Sequence, residues 1–216
     1  MNNPRNSLVV CGTDTDVGKT IVSALLVQGL NATYWKPIQS GLEFGGDSSI
    51  ITNLLKLPKH RLIEESYIFQ APVSPHWAAE KENCLIKPEG LKLPSVKGPL
   101  VVETAGGLMV PINRKWLQID QLKLWELPVV LVARSGLGTL NHTLLSIEAL
   151  RKREIPILGL VLNGSFHQDN PNTLEKMGGV QIIAQLPPLP DLSAETLAAQ
   201  WQQQSLTNTF EKLLKQ

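Results

Sequence analysis

The sequence predicts a doubly wound α/β fold, a mainly parallel sheet with helices on both faces. Three observations point to it. Short runs of apolar, often β-branched residues recur along the chain, and several are continuously apolar rather than alternating, as strands covered on both faces are. Segments with helical spacing lie between these runs, and strand alternating with helix is the pattern of a parallel sheet. The first run ends in a glycine-containing loop, GTDTDVGKT at 12–20, that opens the first helical segment.

The elements follow in order. SLVVCG (7–12) reads as the first strand, and residues 19–30, with Ile21, Leu25 and Leu26 before Gly29, as the first helix. TYWKP (33–37) is a short strand stopped by Pro37. The stretch EKENCLIKPEGLKLPSVK (80–97) mixes Pro, Lys and Glu and reads as a surface excursion with little core. PLVVETAGG (99–107), PVVLVARSG (128–136), PILGLVLNG (156–164) and VQIIAQLP (180–187) supply further strands. Between two of them, over 139–153, Leu140, Leu144, Ile147 and Leu150 recur at steps of three and four, and the basic residues fall at the end where the helix dipole favours cations. PPLP (187–190) leads into a final helical pair over roughly 193–215. There is no internal repeat, and 216 residues suit one domain, 1–216.

Composition narrows the partners. With 20 Lys+Arg against 19 Asp+Glu the net charge is +1, so no polyanion-binding surface and no nucleic-acid partner are expected. Cys11 and Cys84 are far apart and outside any CxxC, which reads as reduced thiols in a reducing compartment. The opening MNNPRNSLVV is too short in apolar residues for a signal peptide, and no stretch reaches membrane length, so a cytoplasmic protein without a membrane partner is expected.

GTDTDVGKT departs from the usual Gly, four residues, Gly-Lys-Ser/Thr: five residues separate Gly12 from Gly18, and Thr13 stands where the first glycine would. Its place between strand and helix still turns the backbone of Thr13, Asp14, Thr15, Asp16, Val17 and Gly18 onto phosphate, as in a P-loop NTPase. Lys19 would reach the terminal phosphates of a nucleotide such as ATP, and the Thr20 hydroxyl would ligate Mg²⁺. Gly-Lys-Thr by itself is equally an ordinary helix start.

Four further features lie at predicted strand ends. Lys36, beside Pro37 and before Ser40-Gly41, would point into the same crevice, although a lysine before proline is commonly a surface residue. Glu103 follows four apolar residues, and a buried carboxylate needs a pairing charge or a cation such as Mg²⁺; the plainer alternative is a Glu just clear of the core at a turn. Asp47 in GGDSS is either a second carboxylate facing that cation or the N-cap of the next helix. SGLGTLNH (135–142) puts glycines before a helix N-terminus, open to a carboxylate or phosphate or simply a turn. Asn163 could hydrogen-bond a purine edge or serve only as a turn residue.

Taken together, GTDTDVGKT, the K-P-x-x-S-G turn at Lys36 to Gly41, SPH at Ser74 to His76, ETAGG at Glu103 to Gly107 and GLGTLNH at Gly136 to His142 resemble dethiobiotin synthetase over roughly the first 165 residues. In that family the deviant loop is the normal one. The resemblance implies ATP-dependent ring closure of diaminopelargonic acid with CO₂ to dethiobiotin, ADP and phosphate, through a carbamate and a carbamic–phosphoric anhydride, with Mg²⁺. By matched position it makes Lys19, Thr20 and Lys36 catalytic, gives Mg²⁺ to Thr20, Asp47 and Glu103, and lets Asn163 read the adenine. Thr15, Lys36, Ser40 and Gly106 would hold the substrate's polar head, while Gly138, Thr139, Leu140 and Asn141 would bind its distal carboxylate across a homodimer interface. Departures are Asp16 in place of a usual Glu, Thr104 in place of Gly, Gly164 in place of Asp, and a short 77–102 segment.

Rival readings are weaker. Partition-type ATPases carry a signature lysine five residues before the loop lysine, where this chain has Asp14. Amidating enzymes of cobyrinate type need a glutaminase domain, and a lapsed nucleotide-binding module would keep these residues without the chemistry.

Overall fold

Strands that are apolar at every position need cover on both faces, and the chain supplies it with helices. The computed structural model describes residues 6–42 and 45–215; the first five residues of MNNPRNSLVV lie outside these. The elements are β1 (Leu8–Gly12), α1 (Lys19–Gly29), β2 (Thr33–Trp35), β3 (Ile38–Ser40), α2 (Gly46–Leu55), β4 (Leu62–Ile63), β5 (Tyr67–Phe69) and α3 (Pro75–Lys81). Then come β6 (Leu100–Gly107), β7 (Pro111–Asn113), β8 (Trp116–Leu117), α4 (Gln118–Trp125), β9 (Val129–Arg134) and α5 (Thr139–Lys152). The chain closes with β10 (Ile157–Asn163), α6 (Asn170–Gly178), β11 (Ile182–Leu186), α7 (Ala194–Gln203) and α8 (Leu206–Leu213).

Seven strands form one sheet in the order β11-β10-β9-β1-β6-β2-β4, every neighbouring pair parallel. Because side chains alternate along a strand, the continuous apolar runs feed two cores. Val9, Cys11, Val102, Leu131 and Leu160 pack with Leu122, Trp125, Ile147 and Leu150 of α4 and α5. Leu8, Val10, Val101, Val130 and Val161 pack with Leu25, Leu26, Ile51, Trp201 and Phe210 on the opposite face. Among the described residues no helix is long and apolar enough to cross a membrane.

All six predicted strand runs and the helices at 19–30, 139–153 and 193–215 are present. One expectation changes. The 80–97 stretch is anchored rather than superficial: Ile86 and Leu91 are fully buried, and the Leu91 carbonyl accepts a 2.7 Å bond from Trp125 Nε1. Its apolar residues are spaced by a proline-led 3₁₀ turn, Pro88–Leu91, so no helical or strand period announces them. The small pairs β3–β5 and β7–β8, and the edge strand β4, are two- and three-residue pieces too short to carry a pattern.

The last two helices are keyed to α1. Trp201 stacks on Phe210 at 5.6 Å, bonds Thr207 through its indole N–H at 2.8 Å and lies against Gly29, where a Cβ would come within 2.3 Å of the ring. Gly29→Val should therefore lower stability by about 1–3 kcal/mol, the usual cost of overpacking a core. Gly136→Ala, with nothing within 4 Å of the added carbon, should stay within about 0.5 kcal/mol. Urea unfolding reads both, and equal midpoints would show that the Trp201 ring yields freely.

Candidate active site

β1 is central, with β6 on one side and β9 on the other, so the chain's path reverses there and a crevice opens at the carboxyl ends of the strands. The 12–20 loop closes over that end. Gly12 has no space for a side chain: a Cβ would lie 2.7 Å from the Asp14 carbonyl and 3.0 Å from Lys19 Nζ. Thr13 N–H donates to the Val132 carbonyl at 2.9 Å, tying the loop to β9. Lys19 is buried and donates to the Asp14 carbonyl at 2.8 Å, so its ammonium sits inside the loop. Burial, and then Lys36, lower its pKa against the pull of Glu103.

Gly18 caps α1 at φ 93, and the first turn holds neither a side-chain cap nor an acidic residue. That leaves the positive end of the helix open to an anion. Asn163 at the end of β10 donates through Nδ2 to the Val17 carbonyl at 3.0 Å, and a Cβ on Gly18 would fall 2.1 Å from that nitrogen. Its amide thus pins the loop, a role beyond either reading of the residue from sequence.

Next to the loop four elements converge. Lys36, just after β2, and Glu103, in β6, are 5% and 1% exposed, so neither the surface-lysine nor the turn-glutamate alternative holds. Lys36 Nζ donates to Glu103 Oε1 at 3.0 Å and to Asp47 Oδ2. Asp47 does not cap α2: Gly45 takes that place, and the Asp47 side chain reaches across to Lys36 and Thr20. Its backbone N–H is held by Gln39 Oε1 at 3.1 Å. Thr20 Oγ1 lies 2.9 Å from Asp47 Oδ1 and 3.0 Å from Glu103 Oε1.

Burial alone would lower the Lys36 pKa, but Glu103 and Asp47 outweigh it and hold the ammonium above the ordinary lysine value. Burial would likewise raise Asp47, and Lys36 more than offsets it, keeping this carboxyl below the usual range. Lys36 and Asp47 are therefore charged near neutral pH. The Thr20 hydroxyl has one proton for two carboxylates, so one of its contacts brings two acceptor oxygens together. An all-oxygen set of a hydroxyl and two carboxylates fits a hard cation such as Mg²⁺.

Sequence reading missed Tyr34, whose hydroxyl donates to Glu103 Oε2 at 3.0 Å. Burial and then the charge of Glu103 push its phenol well above the ordinary value, so it stays a donor. The signal was available: Tyr34 and Lys36 are two apart at a strand, hence on one face. Arg134, the last residue of β9, was also missed; it pairs with Asp14 Oδ2 at 3.2 Å at the loop surface.

The remaining expected residues sit around this cluster. Thr15 and Gly106 meet, for a Cβ on Gly106 would be 3.6 Å from Thr15 Oγ1. Ser40 Oγ is buried without a hydrogen-bond partner, as is Thr104 Oγ1. Asp16 takes a left-handed φ of 56 on the exposed outer turn. Gly138 caps α5 at φ 89, with no side-chain cap and no acidic residue in the first turn, and Leu137 beside it is fully exposed. Thr139 is buried, Leu140 half-buried and Asn141 exposed, and among the described residues no hydrogen bond or ion pair links Gly138 to Asn141 with the Lys36 cluster. Cys11 is fully buried, its thiol pushed up to about 12 by burial, and Cys84 is also unbridged, as expected of reduced thiols.

A family model described as an AAA domain matches residues 6–196. The ATP-dependent dethiobiotin synthetase BioD of Brucella ovis is 46% identical over 190 residues, covering 88% of this chain and 90% of its own. The protein of the same name from Afipia carboxidovorans is 48% identical over 193 residues, covering 89% and 92%. Among solved structures, a ParA family ATPase from Chlorobium tepidum aligns with TM-score 0.58 and 16% identity over 99% of both chains. A plasmid partition protein from Borrelia burgdorferi bound to AMPPNP aligns with TM-score 0.56 and 12% identity, over 97% of this chain and 99% of that one. At those identities the structural neighbours share the fold alone.

Asn163→Ala removes the donor to Val17. Loss of a hydrogen bond worth about 1 kcal/mol should weaken nucleotide binding several-fold by titration calorimetry, and an unchanged affinity would show that the loop keeps its shape without the pin.

Proposed function

This chain belongs to the ATP-dependent dethiobiotin synthetase family, and from that premise we propose how its residues carry out the ring closure. The enzyme is an ATP-dependent ligase that forms dethiobiotin in biotin synthesis. The single observation supporting the mechanism below is the convergence of Lys36, Glu103, Asp47 and Thr20 beside the phosphate loop.

One amine of diaminopelargonic acid adds to CO₂, losing a proton and giving a carbamate. A carbamate oxygen attacks the γ-phosphorus of ATP, ADP leaves, and a carbamic–phosphoric anhydride results. The second amine attacks the carbonyl carbon, phosphate departs, and the cyclic urea is closed. Negative charge gathers on carbamate and phosphoryl oxygens throughout, so the protein's task is positioning and electrostatic stabilisation. Lys19, held inside the loop, would neutralise the transferring phosphoryl group, and Lys36, charged and buried, the carbamate. The amides of Asp14 to Gly18 would hold the triphosphate, the Thr13 N–H being committed to Val132 and fixing the loop on β9, with Asn163 on the adenine side. Thr15, Ser40 and Gly106 would meet the diamine head; the unpartnered Ser40 hydroxyl supports that assignment.

Thr20, Asp47 and Glu103 would hold Mg²⁺, which when bound with ATP lowers the repulsion its phosphates present to the incoming carbamate. The backbone from Gly138 to Asn141, at an uncapped helix N-terminus, would bind the distal carboxylate of a substrate seated in a second copy. The exposed Leu137 beside that end and Leu145 farther along α5 support a homodimer face.

Purified protein given diaminopelargonic acid, bicarbonate, Mg²⁺ and ATP should yield dethiobiotin in step with ADP by mass spectrometry, and neither should accumulate without the diamine. Steady ADP release with no dethiobiotin would overturn the proposal. Lys36→Gln should lower kcat by two or more orders of magnitude, an electrostatic contribution of ~3 kcal/mol, while ATP still binds; undiminished turnover would remove Lys36 from the site. On dilution, activity should fall in step with dissociation to monomer as followed by light scattering, and a fully active monomer would sink the shared-site reading.

A further inference from the structure

We propose that Tyr34 is a positioning residue for Glu103: its hydroxyl holds Oε2 so that Oε1 alone is presented to Lys36, Thr20 and the cation. The inference deepens the reading of Glu103 as a Mg²⁺ ligand and rests on it. Glu103 is 1% exposed, so its oxygens are cut off from bulk water and are satisfied by donors within the fold. Its two oxygens are divided cleanly: Oε1 faces Lys36 Nζ and Thr20 Oγ1, both at 3.0 Å, and Oε2 has the Tyr34 hydroxyl at 3.0 Å.

The strand register builds this division. Tyr34 is paired with Val101 across β2 and β6, and Glu103, two residues on, faces the same side of the sheet. Tyr34 is itself fully buried, its ring packed in the core that α1 covers, so the hydroxyl cannot swing away. Without it the carboxylate would hold a bare buried oxygen, and turning that oxygen toward Lys36 would spoil the presentation of Oε1. Partners standing behind a metal ligand typically change metal affinity or activity by about 10–100-fold. Ring packing alone would give none of this.

The test is Mn²⁺ binding to the protein–ADP complex, followed by electron paramagnetic resonance of free Mn²⁺ with protein in excess over ADP. Tyr34→Phe keeps the ring and should weaken Mn²⁺ binding about tenfold or more, with ADP affinity in the absence of metal unchanged. Added to Glu103→Gln, it should cause no further loss. Wild-type Mn²⁺ affinity in Tyr34→Phe, with Glu103→Gln clearly weakened, overturns the proposal and leaves the metal reading intact. Unaltered affinity in Glu103→Gln instead overturns the metal reading itself. The chain has only 2 tyrosines, which gives a measurement that survives a poorly folding variant. In protein labelled with 3-fluorotyrosine, the Tyr34 fluorine resonance, assigned with Tyr67→Phe, should shift when Mg²⁺ is added to the ADP complex and stay fixed in Glu103→Gln. A Tyr34 resonance indifferent to Mg²⁺ in the wild-type sequence would also overturn the proposal.

Discussion

A carboxylate that is 1% exposed in the middle of a parallel sheet is the constraint from which the site is built. An isolated charge there would be prohibitive, so Glu103 needs donors for both oxygens, and they come from two parts of the fold. β2 and the residue just after it bring Tyr34 and Lys36, α1 brings Thr20, and Lys36 draws in Asp47 from α2. Lys36, Asp47 and Glu103 make a buried network of the kind whose net contribution to folding is small and whose disruption is costly. Its importance lies in geometry: an ammonium and an oxygen set are held in fixed positions before a substrate arrives.

The phosphate loop works by the opposite means, with backbone instead of side chains. Gly12 lets the loop fold onto its own lysine, Gly18 turns left-handed to start α1, and Asn163 fills the space where a side chain on Gly18 would be. Lys19 bonds a carbonyl of the same loop.

Much of the fold is legible in the order of the residues. The six strand runs carry their own two-faced burial, and GTDTDVGKT is placed by its neighbours along the chain as much as by its spelling. Lys36 and Glu103 are legible because each sits at the end of a run that must be buried. Asp47 is not, since Asp just after a Gly-Gly pair suits a helix start equally well, and only the packing of α2 on α1 turns it inward. Tyr34 is lost in the hydrophobic count, although its spacing of two from Lys36 already sets it on the same strand face. The 80–97 stretch misleads for a related reason: Ile86 and Leu91 are buried by tertiary contacts that leave no local period.

Gly29 and Trp201 lie at one end of α1, while Gly18, Lys19 and Thr20 lie at the other. The 11 residues of the helix span about 16 Å, beyond the range in which substitutions commonly couple. The molecule is thus partitioned for an engineer: its durability can be tuned through the α7–α8 clasp, or sacrificed there, as a trait inherited separately from turnover.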